Sequence, residues 1–359
     1  MSPKKTTFVL LAVAALLVAA AANGGRRSVG PTTVVSFPGI VYGYDENGGR
    51  ATWIDSAWIL RVRPLGGGVT HAIRYTKFYE EVPDQTWRPR LLAEGRRLLW
   101  LSVRGSGFGV DIDHVLTADV AASTGTRLAN EDHAEGADGS YVTGIAGDST
   151  GFAYGVTKVD LTSDQLAFRV VGGGIYTTAG AVTRKLPGAP PSIVLARASG
   201  RVAGEPVATE DRDAGIPVAA GTVEIRNFTS GTVISTIATP PARSAAMTSS
   251  VIAVLVGNTL TRYQVGDGRQ VGSVTTLPQS TSPEMRADGR LLALRTPHSV
   301  LIVDLQTGRL RTVPAAKGWQ VVGVALDGKT VSWAESRRIA PGEPSRKTFT
   351  TRIRMLPIS

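Results

Sequence analysis

Residues 286–314 read RADGRLLALRTPHSVLIVDLQTGRLRTVP, and the order of turn and apolar residues in them decides the architecture. Asp288-Gly289 is a pair suited to a tight turn, because glycine reaches positive φ without a Cβ clash and aspartate bonds the backbone beside it. Leu291–Leu294 follows as a short apolar run, Pro297-His298 turns the chain, and Val300–Val303 is a second run. Thr307-Gly308 makes another turn. Leu310–Val313 is then a third strand, ended by Pro314, which has no amide donor and a fixed φ. The stretch is one antiparallel module with minimal connections.

Aligned on its first turn, the module recurs along the chain. Asn47-Gly48-Gly49-Arg50, Ala93-Glu94-Gly95-Arg96, Asp148-Ser149-Thr150-Gly151 and Ala198-Ser199-Gly200-Arg201 match Ala287-Asp288-Gly289-Arg290. Thr248-Ser249-Ser250 and Leu326-Asp327-Gly328-Lys329 complete the set, at spacings of about 39 to 55 residues, the range of propeller blades. A strand-like run follows each turn: Ala51–Ile54, Leu98–Val103, Phe152–Val156, Val202–Val207, Val251–Val256, Leu291–Leu294 and Thr330–Trp333. Second turns are expected at Gly66-Gly67-Gly68, Thr124-Gly125, Gly172-Gly173-Gly174, Ser230-Gly231 and Asp267-Gly268. The last copy lacks a fourth strand, and Thr32–Pro38 has the form of a closing strand. The expectation is an all-β, seven-bladed β-propeller over residues 32–359, closed by that N-terminal strand, which removes two exposed sheet edges.

Lys4 and Lys5, the apolar run Phe8–Ala19 and the Ala20-Ala21-Ala22 site predict a signal peptide over residues 1–22, followed by a linker over 23–31. The protein is therefore expected to be secreted or extracytoplasmic, with an uncleaved N-terminal membrane anchor as the alternative. The chain has no cysteine, so it has neither disulfides nor thiolate chemistry. Its formal charge is +10, spread over strands and turns without a nucleic-acid motif. Outside the cytoplasm that balance suits solubility or attraction to anionic wall polymers and lipid surfaces. No nucleic-acid partner is expected.

The residues Ala287-Asp288-Gly289-Arg290-Leu291-Leu292-Ala293-Leu294 and Ile302-Val303-Asp304-Leu305-Gln306-Thr307-Gly308 resemble TolB-type, WD40-like propeller repeats. Leu326-Asp327-Gly328-Lys329 gives a second match. Ala287 stands where such repeats have proline, and Val303 replaces the tryptophan of a Trp-Asp pair. The resemblance implies a protein-interaction or ligand-binding scaffold and carries no catalytic residue over.

In a propeller, the connections from second to third strand share a face with those between blades, and elaboration of one face marks a binding surface. Long connections are expected there at Gly105–Asp113, Thr209–Ala220, Ser336–Phe349, Val82–Arg90 and Asn130–Gly139. They place Asp111, Asp113 and His114, then Asp132 and His133, then Asp211 and Asp213 in an acidic surface over blades two to four. Trp87 and Trp319 are the aromatic candidates for stacking on a sugar or ring. Asp211-Arg212-Asp213-Ala214-Gly215 begins like a calcium loop but has no downstream bidentate carboxylate. The reading is therefore no cofactor, with calcium as the alternative. Trp53, Trp100 and Trp333 hold comparable strand positions suited to packing between blades. No serine-hydrolase, zinc-protease or phosphate-loop motif is present. The functional expectation is a monomeric, non-enzymatic scaffold binding a protein or cell-wall glycan, with a propeller hydrolase or lyase acting on extracellular carbohydrate as the alternative.

Overall fold

The computed structural model describes residues 30–57, 59–74, 91–105, 110–134, 139–161, 168–179, 182–208, 210–211, 219–342 and 345–358. Its elements are strands throughout. The proposed signal segment lies outside the described residues, as does all but the end of the linker.

Seven four-stranded blades follow one another. β1 (Thr32–Pro38) precedes blade one, which contains β2 (Val41–Asn47), β3 (Arg50–Asp55), β4 (Leu60–Pro64) and β5 (His71–Ile73). Blade two has β6 (Leu91–Glu94), β7 (Arg97–Gly105), β8 (Val110–Asp119) and β9 (Thr126–Ala134). Blade three has β10 (Gly139–Asp148), β11 (Gly151–Leu161), β12 (Phe168–Ala179) and β13 (Val182–Lys185). β14 (Ser192–Ala198), β15 (Arg201–Pro206), β17 (Thr222–Asn227) and β18 (Val233–Ala238) form blade four, while β16 (Glu210–Asp211) leaves it to pair with β12. Blade five has β19 (Ser244–Met247), β20 (Val251–Val256), β21 (Thr259–Gln264) and β22 (Thr275–Thr276). Blade six has β23 (Met285–Asp288), β24 (Leu291–Thr296), β25 (Ser299–Asp304) and β26 (Leu310–Pro314). Blade seven joins β27 (Gln320–Asp327), β28 (Thr330–Arg338) and β29 (Phe349–Pro357) to β1. β1 runs antiparallel to β29, with Thr32 opposite Met355 and Pro38 opposite Thr350.

A blade buries both of its faces, so each inner strand is apolar on two sides. Seven hydrophobic clusters result, one at each contact between neighbouring blades. Trp100 and Trp333 are fully buried in two of them and Trp53 sits in a third, stacked on Phe37 of β1 at 4.7 Å. The inner strands approach each other closely. A Cβ on Gly144, which has φ +125°, would meet the Val194 carbonyl oxygen at 2.3 Å.

The first turns also tie blades together. Asn47 Oδ1 accepts from the Gly95 amide at 2.8 Å, Asp288 from Gly328 at 2.5 Å and Asp327 from Gly48 at 2.7 Å. The acidic or amide residue of one turn thus satisfies the orphan amide of the next blade's turn. These turns, with those between third and fourth strands, form one face of the disc, here the turn face. The other connections form the opposite face.

Two expectations are corrected. Gly172-Gly173-Gly174 is not a turn. It lies within β12, where the register against β11 shifts next to Gly172, and a Cβ on Gly173 would meet the Val156 carbonyl oxygen at 2.1 Å. The triplet admits a bulge and a close backbone approach. The acidic stretches of blades two and three are not loops either. Asp111, Asp113 and His114 are on β8, and Asp132 and His133 are on β9. Val110-Asp111-Ile112-Asp113 alternates with the period of a strand, and both strands extend the blade. A pairing of Gly139 with His133 merges blades two and three into one sheet.

Candidate functional site

The predicted acidic surface is largely absorbed into this extension. Asp113 is 3% exposed and accepts the Val142 amide at 2.7 Å, while His114 is 2% exposed. Neither is available to a partner. Asp111 stands opposite His133, and Asp132 opposite Ile112. Glu131, opposite Asp113, accepts from the Ser140 hydroxyl at 2.5 Å. Asp113 and Glu131 thus both tie blade two to β10. Asp211 sits on β16 beside Phe168. Trp87 and Asp213 lie outside the described residues. Among the described residues, no three His, Asp or Glu side chains converge to hold a metal.

Trp319 is half-buried, with the Arg352 guanidinium 4.0 Å and that of Arg337 5.1 Å from its ring centroid. Its aromatic surface is engaged by cations of its own blade. Arg352 also pairs with the fully buried Glu335 at 2.6 Å. Trp319 is nevertheless well placed, because the next residue, Gln320, lines a cleft.

That cleft has a volume of about 530 Å³ and opens on the face opposite the turn face. It spans blades five, six, seven and one. Val41, Tyr42 and Gly43 open β2 on one side, and Gln320, Val321 and Val322 open β27 beside them. The connection Gln279–Glu284 leads into β23, Arg295 lies at the end of β24, and Pro297 belongs to the short corner of blade six. The least elaborated blade therefore borders the cleft. Its short corner leaves the space open.

The lining mixes polar and apolar groups, the apolar surface being the larger, and carries Arg243 and Arg295 against the Glu284 carboxylate. Gln279, Ser280, Thr281, Ser282 and Gln320 supply amides and hydroxyls. Thr281 is fixed by its own turn, its hydroxyl donating to the Pro278 carbonyl at 2.6 Å. Ser282 is held by its amide on the Arg295 carbonyl at 2.8 Å. Among the described residues, Glu284 is the only carboxylate in the lining. Arg295 donates to it from Nε at 3.1 Å and to the Val321 carbonyl at 3.2 Å.

Below Glu284 the ion pairs continue into the centre of the ring. Arg286 lies 3.5 Å from Glu284 and donates to Asp45 Oδ1 at 3.2 Å and to the Leu91 carbonyl at 2.9 Å. It therefore links blade six to blades one and two. Asp45 also accepts the Ala93 amide at 2.9 Å and the Glu46 amide at 3.0 Å. Burial pushes the Asp45 carboxyl up, with Arg286 opposing. Glu94 is pushed up to about 8 by burial, then by Asp45 and Asp148, against Arg286 and Arg197. Glu46 is pushed up to about 7 by burial, then by Asp327 and Asp45. Arg197 completes the cluster through Asp148 at 2.9 Å.

This cluster was accessible from the repeats. Two residues before the end of each inner strand's turn position stand Asp45, Leu92, Ala146, Ala196, Ala246, Arg286 and Ala325. One acid and one base among mostly small residues is the sign of a pair meeting across the ring.

No family model matches the chain, and no curated protein matches it. Solved structures do. The β-propeller domain of Cps50 (Swd1) from Myceliophteria thermophila aligns with a TM-score of 0.52 at 12% identity, covering 90% of this chain and 99% of that one. The computationally designed protein Ika8 aligns with a TM-score of 0.51 at 11% identity, over 91% of this chain and 99% of that one. At such identities the likeness is one of fold. The described residues form an all-β, seven-bladed β-propeller.

Proposed function

We propose that the protein is a non-enzymatic, extracytoplasmic propeller scaffold that binds a protein or glycan segment of low net charge in the cleft over blades five to seven and one. The observation that carries this reading is the cleft's lining: hydroxyl and amide groups around a single carboxylate already shared by two arginines. Such a surface offers directional hydrogen bonds beside apolar contact, with one more cation than anion, at a volume typical of ligand sites. The same feature weighs against the alternative of a carbohydrate hydrolase, which needs two carboxylates flanking the bond. The TolB-type pattern of residues 286–314 supports an interaction role for the repeats. The reading includes closure of the ring by β1 and a signal segment at residues 1–22.

A photo-crosslinking side chain at Ser280, on the cleft, and one at Ser249, on the turn face, test it in the envelope of the producing cell. A defined partner captured from Ser280 and not from Ser249 is expected. New reducing ends in extracellular polysaccharide incubated with the protein would replace the scaffold by the hydrolase.

A further inference from the structure

The turn face carries a pattern that the cleft does not use. In five of the seven first turns a cation follows the turn residues: Arg50, Arg96, Arg201, Arg290 and Lys329. Arg96 and Arg290 pair with Asp119 and Asp304 but remain 68% and 59% exposed. Arg50 and Arg201 donate to backbone carbonyls, of Gly48 and Ser249. Lys329 is exposed. The acidic side chains of the same turns, Asp288 and Asp327, are turned inward onto the neighbouring amides, while Asp119 and Asp267 on this face stay 45% and 42% exposed beside Arg96 and Arg269.

Apolar residues occupy the rim of this face. Val69, Val182 and Val233, at the turn-face ends of the fourth strands of blades one, three and four, are 88%, 60% and 46% exposed. Cations inside a rim of exposed valines match an interfacial surface, where apolar groups enter the headgroup boundary and bases meet anionic lipid.

The path of the chain gives a third, independent observation. In β29, Pro357 lies opposite Thr330 at the turn face, and Thr32 pairs with Met355 near that end. The chain therefore enters β1 from the turn face. Seven residues separate Ala22 from Gly30, including Arg26 and Arg27. They span at most about 25 Å when extended.

We propose that the turn face docks on an anionic lipid bilayer and directs the cleft away from it. A tether through residues 23–29 relies on the alternative in which residues 1–22 remain as an uncleaved membrane anchor; the chemistry of the face does not.

Because the chain has no cysteine, one fluorescent donor can be placed on each face of the full chain through Ser249→Cys or Ser280→Cys. Energy transfer is measured to headgroup-labelled lipid in vesicles of phosphatidylcholine alone or mixed with phosphatidylglycerol. Strands of about six residues separate the faces by roughly 20 Å. On phosphatidylglycerol vesicles transfer is expected to be severalfold greater from position 249 than from 280. High salt, or Arg50→Gln with Arg201→Gln and Lys329→Gln in a variant that melts like the parent, is expected to remove the difference. Equal transfer from both positions, with the chain still floating with the vesicles, overturns the docking face and leaves the anchor reading intact. Flotation with neither lipid overturns both. Equal transfer together with tight binding to soluble polyphosphate also overturns the proposal, and assigns the cations to a wall polymer.

Discussion

Replacing Arg286 by methionine tests whether the centre of the ring is held by charge. The guanidinium bridges Asp45, Glu284 and the Leu91 carbonyl, and Asp45 is only 3% exposed. Without the cation, Asp45 keeps two backbone amide donors but loses its counter-charge in a buried setting. Removing one member of a buried pair costs about 3–5 kcal/mol, mostly because the partner stays charged and desolvated. Against a typical stability of roughly 5–15 kcal/mol, the loss is large. Asp45→Asn together with Arg286→Met removes both charges, so the double variant is expected to recover most of the loss. Urea unfolding of parent, both single variants and the double variant gives the coupling energy. The reasoning fails if Arg286→Met costs less than about 1 kcal/mol, or if the double variant is no more stable than Arg286→Met.

Two further predictions follow from the same geometry. Deleting Thr32–Pro38 removes the pairing with β29 and the Phe37–Trp53 stack; thermal melting is expected to show a loss on the order of 3–5 kcal/mol, at about 1.5–3 for each large side chain unburied, and an unchanged melting temperature would show that β1 does not close the ring. Glu94 has its folded-state pKa raised from 4.5 to about 8, so the native state binds the proton more tightly than the unfolded chain. Its contribution is therefore full below about pH 4.5 and lost as pH rises through about 8. Glu94→Gln keeps the neutral form and is expected to flatten the alkaline decline, by on the order of 2–4 kcal/mol at pH 9. Melting curves of the two proteins that fall in parallel across that range would contradict the assignment.

The blades were legible because their turns are local. Gly48, Gly95, Gly200, Gly289 and Gly328 all have φ between 56° and 73°, the conformation for which glycine is used. The sequence pattern that marked them is therefore a direct record of backbone geometry. The acidic strands read as loops because a polar residue in a loop and one buried against a neighbouring blade have the same composition. Asp113 is buried and accepts the amide of Val142, 29 residues away, which nothing in its local sequence shows. The period-two alternation of Val110 to Asp113 was the available signal. The cleft was less accessible still. It is formed by the shortness of the blade-six corner and by the starts of β2 and β27, which come from opposite ends of the chain. No single repeat contains it.

The cleft, and not the acidic strands of blade two, is the proposed partner site. Ser282→Trp fills the cleft from a half-buried position that packs into no core cluster, whereas Asp111→Asn alters β8 without entering it. Partner affinity measured by titration of both variants, using the molecule captured from position 280, is the direct test. A loss of about tenfold or more is expected for Ser282→Trp, the scale of about 1.4 kcal/mol, and no change for Asp111→Asn. Unchanged affinity in Ser282→Trp with a tenfold loss in Asp111→Asn, about 1.4 kcal/mol, would contradict the cleft as the partner site.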